Sequence, residues 1–270
     1  RVSEKLSIII NSFEFQTIIK LLLGVILAGI VINNEAKRYN IPTSFVTNLI
    51  FWCVIFGLLG ARIYYVLFNL DYYSTSPIEV VKIWNGGLAI HGGIIAGLIT
   101  LIVYCKKYGV DVLKMIDISV PGLILAQGIG RWGNFFNGEA HGGIVSRAFL
   151  ENLHLPKFII DGMHIGAHYY HPTFLYESVF CILCFFILYG FRSMKNTKLG
   201  NTTALYLILY GTIRFFVESL RTDSLMLGSI KMAQLVSILM IIGGIIMFII
   251  TKLKCKNYDD VGAKENEIKC

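Results

Sequence analysis

Residues 232–251 read MAQLVSILMIIGGIIMFIIT, a run of twenty residues without Asp, Glu, Lys or Arg. The hydrocarbon core of a bilayer is about 30 Å thick, and a helix of ~20 apolar residues spans it. Only a helix pairs all its backbone N–H and C=O groups within one such segment in lipid. The stretch therefore predicts a membrane-spanning helix.

The same character extends over most of the chain. Hydrophobic residues make up 55% of the 270 residues and charged residues only 15%, with a mean hydropathy of +0.66, whereas a soluble domain carries about 25% charged residues. Seven candidate spans are visible: 17–32, 45–70, 88–104, 115–136, 172–191, 202–220 and 232–251. The first is the weakest, because it is short and holds Lys20. We expect an all-α polytopic membrane protein with about seven transmembrane helices in a single membrane-embedded domain, 1–270.

Basic residues indicate the orientation. Thirteen of the 24 Lys and Arg lie in alternate connections and in a tail at 252–270. Cytoplasmic loops are enriched in Lys and Arg, so we expect the N-terminus outside, the tail in the cytoplasm and the long polar connection 137–171 as a small extracytoplasmic cap. Topology and contact with anionic lipid account for the net charge of +7. A nucleic-acid partner is not expected, because no basic patch is interleaved with aromatic residues.

The strongest polar constellation begins inside the fourth span, where residues 130–142 read GRWGNFFNGEAHG. Arg131 and Asn134 are three residues apart and therefore neighbours on one helix face, and the glycines allow a ligand or another backbone to approach closely. A G-x-G-x-x-G match starting at Gly128 is not a dinucleotide fingerprint, because it does not follow a strand of a βαβ unit. We interpret this face as suited to a phosphate.

A second polar stripe lies in the sixth span. Tyr210, Arg214, Glu218 and Arg221 fall within roughly an 80° arc of an ideal helix. A charge at the bilayer centre costs about 2.5–3.5 kcal/mol on the mildest scale, so the stripe should face the bundle interior or a cavity. An Arg214–Glu218 pair that only joins helices is the alternative, but it leaves Arg131 and Arg221 unexplained.

A lone histidine stands where the third span begins, in the segment 85–93, NGGLAIHGG. Histidine exchanges a proton near neutral pH, so His91 is a candidate base. Hydrogen bonding of the ring and close helix packing at the glycines would explain the same residues without chemistry. Arg62, in the second span, fits neither polar stripe, and we expect it to be a structural charge paired within the bundle.

The cysteines and the remaining histidines do not favour a metal site or a disulfide framework. Cys181 and Cys184 form a C-x-x-C in mid-span without further ligands, and we interpret them as small buried hydrophobes. His164, His168 and His171 have a spacing that a metal site could use, yet no cysteine or H-E-x-x-H accompanies them. We therefore predict no metal.

Combined, these residues describe a lateral membrane cavity with two or three positive charges and one candidate base. The planar fork of arginine binds a phosphodiester in a bidentate manner and stays charged in a membrane. The expected ligand is an anionic phospholipid, and the expected chemistry is a step in which negative charge grows on phosphate oxygens. A lipid or anion transporter or flippase using the same basic cavity is the main alternative, although no internal repeat is visible.

From about residue 45 to the last span, the sequence resembles the bacterial prolipoprotein diacylglyceryl transferases. Within 130–142 the match is at Gly130, Arg131, Asn134, Phe135, Asn137, Glu139 and Gly142. Further similar blocks are 87–93 around His91, 171–178 (HPTFLYES), and 210–214 (YGTIR) through 221–224 (RTDS). The blocks follow one another in the order of the family.

The resemblance implies transfer of a diacylglyceryl group from phosphatidylglycerol to the lipobox cysteine thiol of a preprolipoprotein, which forms a thioether and releases glycerol phosphate. It implies no metal or organic cofactor. The implied partners are phosphatidylglycerol, a signal peptide with a lipobox cysteine and the lipids of a bacterial cytoplasmic membrane. Arg131 would bind the headgroup, Asn134 and Glu139 would orient it, and Arg214 would stabilise the phosphate as the carbon–oxygen bond breaks.

The other roles implied by the resemblance lie at the outer mouth. Arg221 would assist there, and Tyr210, Glu218 and Gly142 complete the expected substrate-binding set. His91 would be the general base for the substrate thiol, whose ordinary pKa of about 8.5 leaves little thiolate at neutral pH. Alternatively, nearby arginines lower the pKa of that thiol without a base.

The chain departs from the family pattern near its first span. Members commonly carry an aromatic pair ending in tyrosine, followed by glycine, where Ile18 and Ile19 stand here. Either Tyr64, Tyr65 or another tyrosine compensates, or the chain is a paralogue with altered activity or acceptor choice. A phosphatidylglycerol-using enzyme with another acceptor, such as water or a lipid hydroxyl, is the second alternative.

Overall fold

Helices dominate the computed structural model, which describes residues 13–83, 86–194, 197–222, 226–227 and 230–254. In chain order, its first part contains α1 (Phe13–Lys37), α2 (Thr43–Leu67), α3 (Leu70–Thr75), a 3-10 helix (Pro77–Val81), α4 (Ile90–Lys107) and α5 (Val112–Asn137). The elements that follow are β1 (Ile144–Val145), α6 (Arg147–Asn152), α7 (Lys157–Gly162), β2 (His164–Ile165), β3 (His168–Tyr170), α8 (Thr173–Arg192), α9 (Asn201–Leu220), β4 (Met226–Leu227), β5 (Ile230–Lys231) and α10 (Met232–Lys254).

Each predicted span coincides with one long helix. Within the described residues, α2, α4, α5, α8, α9 and α10 are long and apolar enough to cross a membrane. The expected all-α polytopic membrane fold is thus confirmed. A seventh crossing by α1 stays a prediction, because the side chains of residues 13–21, among them Ile18, Ile19 and Lys20, lie outside the described part.

The long helices turn apolar side chains outward. Phe180, Leu183 and Phe186 of α8 are each at least half exposed, and so are Ile246 and Ile249 of α10. Large apolar surfaces on a protein mark contact with a membrane or another protein. These faces suit the hydrocarbon core of a bilayer.

The described chain divides into two compact units, and the expected single domain 1–270 stays a prediction. The first unit comprises the described residues of 13–31 and 116–254, and the second comprises residues 32–115. In the first unit, α5, α8 and α9 enclose an apolar core that includes Ile124, Cys181, Cys184 and Leu188. Cys181 and Cys184 are buried free thiols in that core, which agrees with their interpretation as small hydrophobes.

The cap forms the connection between α5 and α8, as predicted, but it also contains strands that the sequence did not indicate. Strands β1, β3 and β2 form a small antiparallel sheet in that order. Its apolar base is built from Leu150, Ile159 and Ile160, which pack with Phe135 of α5 and Phe174 of α8. The cap therefore sits on the end of the helical bundle where α5 stops and α8 starts.

In the second unit, α2 and α4 pack at very short range through glycine. A β-carbon added at Gly60 would collide with Ala96 and the backbone of Gly92, and one added at Gly92 would collide with Gly60 and Tyr64. Small residues let two helix backbones approach in this way in membranes. This crossing holds the start of α4, which carries His91, against the C-terminal half of α2.

Helix α9 carries the second polar stripe, and its N-terminus is capped from α5. Gly200 precedes the helix with φ +90° and supplies no side-chain cap. Instead, the fully buried carboxylate of Asp117 accepts hydrogen bonds from Gly200 N (2.6 Å) and Thr203 N (2.9 Å), as well as from the Thr203 hydroxyl. A carboxylate satisfies the unpaired N–H groups of a first turn and complements the helix dipole.

We expect Asp117→Asn to lower the free energy of unfolding by about 1–3 kcal/mol, because an amide leaves a buried N–H donor facing another donor. Thermal unfolding of the detergent-solubilised protein measures the change. The matched control is Asp161→Asn, at an exposed position on α7. Equal stability of Asp117→Asn and this control would contradict the capping role.

Candidate active site

Helices α5, α8 and α9 bring polar side chains to the same end of the first unit. Helix α8 runs antiparallel to α5 and α9. The last turns of α5 and α9 therefore meet the first turns of α8 beneath the cap. Arg131 and Arg214 each stand six residues before a helix end, which is a depth of about 9 Å at helical rise. Glu177 lies four residues into α8. All three therefore occupy one layer inside the spans.

Glu177 is shared by the two arginines of this layer. Arg131 Nη2 lies 2.9 Å from Glu177 Oε1, and Arg214 Nη1 lies 3.3 Å from Glu177 Oε2. One carboxylate thus uses its two oxygens to hold two guanidinium groups from two different helices. Its bidentate position sets the distance and orientation between them.

Tyrosine hydroxyls continue this layer inward. Tyr210 OH lies 3.4 Å from both Arg131 Nη2 and Glu177 Oε1, accepting a hydrogen bond from the first and donating to the second. The Tyr206 ring is stacked on that of Tyr210, and its hydroxyl is hydrogen-bonded to Gln127. The polar stripe is therefore charged near the cap and neutral deeper in the bundle.

Glu218 and Arg221 extend the stripe towards the cap. Glu218 Oε2 lies 2.7 Å from Arg214 Nη2 and 3.9 Å from Arg221 Nη1. Lys231 Nζ donates to the carbonyls of Glu218 (2.8 Å) and Arg221 (2.6 Å), which satisfies groups that the end of α9 leaves unpaired. The outer end of the stripe is thus held in place by both side-chain and backbone contacts.

The cluster of three arginines and two glutamates carries one net positive charge. Its exposure is uneven: the side chains of Arg131 and Arg214 are 21% and 18% accessible, while those of Glu177 and Glu218 are 3% accessible. The carboxylates are thus buried, while the two guanidinium groups stay partly accessible. That arrangement presents positive charge to a ligand.

Asn134 and Glu139 line a small cleft with His141 where α5 ends. The end has the hydrogen bonds of a Schellman motif: Gly138, at φ +63°, donates to Phe135 O, and Glu139 N donates to Asn134 O. Asn134 stays half-buried on the Arg131 face of the helix, while Glu139 is exposed. The structure brings these two residues together one turn from Arg131, and among the described residues their side chains make no hydrogen bond or ion pair with the charged cluster.

Gly142 joins the cap to both neighbouring helices through its backbone. It forms a β-bridge with Arg221, and its N–H donates to His171 O at 3.0 Å. A β-carbon there would lie 2.5 Å from His171 Cβ and 3.0 Å from Leu220 O. Glycine is therefore required at this junction by its lack of a side chain.

His91 belongs to the second unit, where it is the second residue of α4. Its ring is exposed, and its centroid lies 6.2 Å from that of Tyr64. Tyr65 lies near Gly87 and makes an edge contact with Tyr73. Both tyrosines considered as replacements for the Ile18 and Ile19 positions thus pack around the segment of His91.

The histidines of the cap contact aromatic rings. His164 stacks on Tyr169, and His171 lies against Phe149 with its Nδ1 3.3 Å from Tyr176 OH. Burial lowers the pKa of His171 and so favours its neutral form. Among the described residues, no group of three His, Cys, Asp or Glu side chains is arranged to hold a metal ion.

Glu177 of the cluster, and Lys231, which binds carbonyl groups at the end of α9, were not singled out from the sequence. Glu177 lay within the block 171–178, and its signal was a lone carboxylate inside an apolar span, which is costly without a partner. Its partners come from two other helices, so no spacing within α8 points to them. Lys231 contacts only carbonyl groups among the described residues, and the sequence carries no sign of such contacts.

We expect Glu177→Gln to destabilise the protein by about 3 kcal/mol, because it leaves two partly buried guanidinium groups without their shared counter-charge. Thermal unfolding in detergent measures the loss. The matched control is Glu151→Gln on the cap, whose ion pair with Arg147 is about half exposed on both sides and should matter little. A loss for Glu177→Gln no larger than for the control would mean that the shared carboxylate does not hold the cluster.

Comparison with known proteins agrees with this architecture. The phosphatidylglycerol–prolipoprotein diacylglyceryl transferase of Staphylococcus xylosus is 50% identical over 242 residues, covering 88% of this chain and 86% of that protein. The proteins of the same name from Staphylococcus haemolyticus (strain JCSC1435) and Staphylococcus aureus (strain Newman) are 53% and 49% identical, over 85% and 89% of this chain and 81% and 86% of theirs. The sequence pattern described as prolipoprotein diacylglyceryl transferase matches residues 17–250. The chain belongs to the prolipoprotein diacylglyceryl transferase family.

Proposed function

We propose that this protein transfers the diacylglyceryl group of phosphatidylglycerol to the lipobox cysteine thiol of preprolipoproteins. The bond between the diacylglyceryl carbon and the phosphate oxygen breaks, a thioether forms, the thiol proton leaves, and glycerol phosphate is released. The observation that best supports this proposal is the pair of arginines held by one buried carboxylate inside the membrane spans. Membership of the family supplies the substrate class.

The charge change of this reaction explains why two arginines are useful. A phosphodiester carries one negative charge, and the departing phosphomonoester gains a second as the carbon–oxygen bond breaks. Pre-oriented cations stabilise such growing charge most effectively where water is excluded. Arg131 and Arg214 are held in that way by Glu177, so they need little reorganisation during the reaction.

The two arginines differ in the donors that remain for a ligand. The contacts of Arg131 with described residues run through Nη2, which leaves the N–H groups of Nε and Nη1 as donors for phosphate oxygens. Arg214 uses Nη1 for Glu177 and Nη2 for Glu218, so it offers the second N–H of each nitrogen. This asymmetry supports headgroup binding by Arg131 and stabilisation of the leaving phosphate by Arg214.

The remaining predicted residues take supporting roles in this proposal. Asn134 and Glu139 orient the glycerol headgroup from the cleft at the end of α5, and Arg221 attracts it at the mouth. Tyr210 and Glu218 align the arginines. Gly142 keeps the cap close to the end of α9, beside the lipid site.

The nucleophile of the reaction comes from the acceptor peptide. Cys105, Cys181 and Cys184 are buried, so they are unsuited to accept a lipid from outside the bundle. His91 takes the proton from the peptide thiol, which is mostly protonated at pH 7. No metal or organic cofactor takes part.

The enzyme is an integral membrane protein of a bacterial family, and we place it in the cytoplasmic membrane. The excess of Lys and Arg in alternate connections favours an outer N-terminus and a cytoplasmic C-terminus. The cap and the charged cluster then face the outer leaflet, where preprolipoprotein signal peptides emerge. Phosphatidylglycerol and the lipobox-containing signal peptide are its partners.

The test incubates the purified protein with phosphatidylglycerol and a lipobox peptide and then detects the peptide by mass spectrometry. We expect the peptide to become heavier by one diacylglyceryl group, and a peptide with serine in place of cysteine to stay unmodified. Absence of the adduct, with a known enzyme of this family active in parallel, would refute the transferase function. Lipid movement without product would indicate a flippase, and hydrolysed lipid would indicate water as the acceptor.

Arg131→Ala and Arg214→Ala should each reduce the transfer rate by roughly 100-fold to 1,000-fold, because each removes donors from the developing phosphate charge. Arg147→Ala is the matched control, since Arg147 is an exposed arginine of the cap. Rates are compared at equal amounts of folded protein in membranes. Turnover at the level of the control in both variants would remove their assigned roles.

His91→Gln should slow transfer most at neutral pH, where the peptide thiol needs a base. Raising the pH towards 9 forms thiolate without a base, so part of the lost rate should return. His168→Gln, at an exposed histidine of the cap, is the matched control. A near-normal rate of His91→Gln at pH 7 would show that the base is dispensable and that the arginines suffice to lower the pKa of the thiol.

A further inference from the structure

Arg62 is a buried arginine of the second unit that neither polar stripe uses. It lies near the end of α2, within a candidate membrane span, and is only 6% exposed. A buried cation in such a position is costly unless its donors and charge are compensated. Its contacts explain why it is tolerated.

The five N–H donors of the Arg62 guanidinium all go to backbone carbonyls. Nε donates to Val80 O (2.9 Å), Nη1 to Gly86 O (2.6 Å) and Gly87 O (2.9 Å), and Nη2 to Glu79 O (2.5 Å) and Lys82 O (3.3 Å). An arginine side chain has five such donors and no acceptor. Every donor is thus occupied, which leaves none for a phosphate.

These bonds tie two parts of one connection together. The carbonyls of Glu79, Val80 and Lys82 come from the 3-10 helix and its end, and those of Gly86 and Gly87 come from just before α4. The Tyr73 ring lies 5.3 Å from the guanidinium carbon. The carbonyl dipoles point their negative ends at the guanidinium group, and the Glu79 carboxylate lies 2.5 Å from Lys82 Nζ. We call this set of five bonds the carbonyl clamp.

The same turn of α2 also holds Ala89, the residue just before α4. Ala61 O accepts a hydrogen bond from Ala89 N at 3.0 Å. Gly87 has φ +75°, and a β-carbon on it would lie 2.5 Å from Arg62 Nη1. His91 follows only four residues after Gly87. The clamp therefore determines the path by which the chain enters the helix that carries His91.

We propose that Arg62 is a positioning residue: its carbonyl clamp holds residues 79–82 together with Gly86 and Gly87 and thereby sets the position of His91. The inference rests on the proposed role of His91 as the base. Lysine cannot replace Arg62 fully, because an ammonium group has three donors and lacks the planar fork that reaches carbonyls on two sides. Its effect on the reaction is indirect and should lower the catalytic rate without weakening lipid binding.

The test compares Arg62→Lys and Arg62→Gln with the wild-type protein in detergent. Trypsin cleavage after Lys82 reports on the clamp, because proteolysis follows the population of the opened segment. We expect cleavage to become roughly tenfold faster or more as the clamp loses bonds. In the transfer assay we expect a lower kcat, a nearly unchanged KM for phosphatidylglycerol and partial recovery of the rate near pH 9, as in His91→Gln. Lys106→Gln, at an exposed basic residue of the same unit, should match the wild type.

A second pair of variants disturbs the clamp without touching Arg62, in case its substitution prevents folding. Gly87→Ala places a methyl group against Arg62 Nη1 and the Tyr65 ring, whereas Gly97→Ala in α4 meets nothing within 4 Å. We expect the first to reproduce the faster cleavage and lower kcat, and the second to behave as the wild type.

Three results would overturn the proposal. A raised KM for phosphatidylglycerol with Lys82 still protected would make Arg62 a lipid ligand. Faster cleavage with unchanged kcat would make the clamp a purely structural feature. Normal turnover of His91→Gln at pH 7 would show that His91 is not the base, so Arg62 would have no base to position. The cleavage rate of the Arg62 variants would still measure the stability of the clamp separately.

Discussion

The sharing of one carboxylate by two arginines is the contact on which the candidate active site depends. A guanidinium group in an apolar span is costly when unpaired, and a complete charge match would leave nothing for an anionic ligand. Glu177 resolves both requirements, because it neutralises half of the charge of Arg131 and Arg214 from the buried side. The surrounding contacts hold the three helix ends in place. Asp117 binds the first N–H groups of α9, and Lys231 binds carbonyl groups at its end. The cap packs on α5 and α8.

The sequence predicted those features whose cause is local. Apolar length is a property of one segment, so each long helix in the described part of the chain was located, although the helix ends were missed by a few residues. The stripe of Tyr210, Arg214 and Glu218 follows from helical periodicity alone, and the structure places these side chains together. The short strands of the cap were not predicted, because two or three residues carry no periodic pattern.

Features that depend on contacts between segments, or on the backbone, could not be predicted in the same way. Glu177 is recognisable as a buried charge but not as the partner of two particular arginines. Arg62 was expected to be a structural charge paired within the bundle, but its individual partners could not be named, because they are five backbone carbonyl groups, which every residue possesses. Arg131 and Arg62 look alike in sequence, since both are single arginines near glycines inside apolar spans, yet one keeps donors for a ligand and the other has none left.

The junction at Gly142 bears on how mutational data for this protein are understood. Three chain segments meet there through hydrogen bonds of the main chain, and only a hydrogen atom fits between them. A substitution at Gly142 would separate the cap from the end of α9 and disturb the charged cluster from a distance. In a functional screen, the position would score as if it bound the lipid, although glycine has no side chain with which to do so.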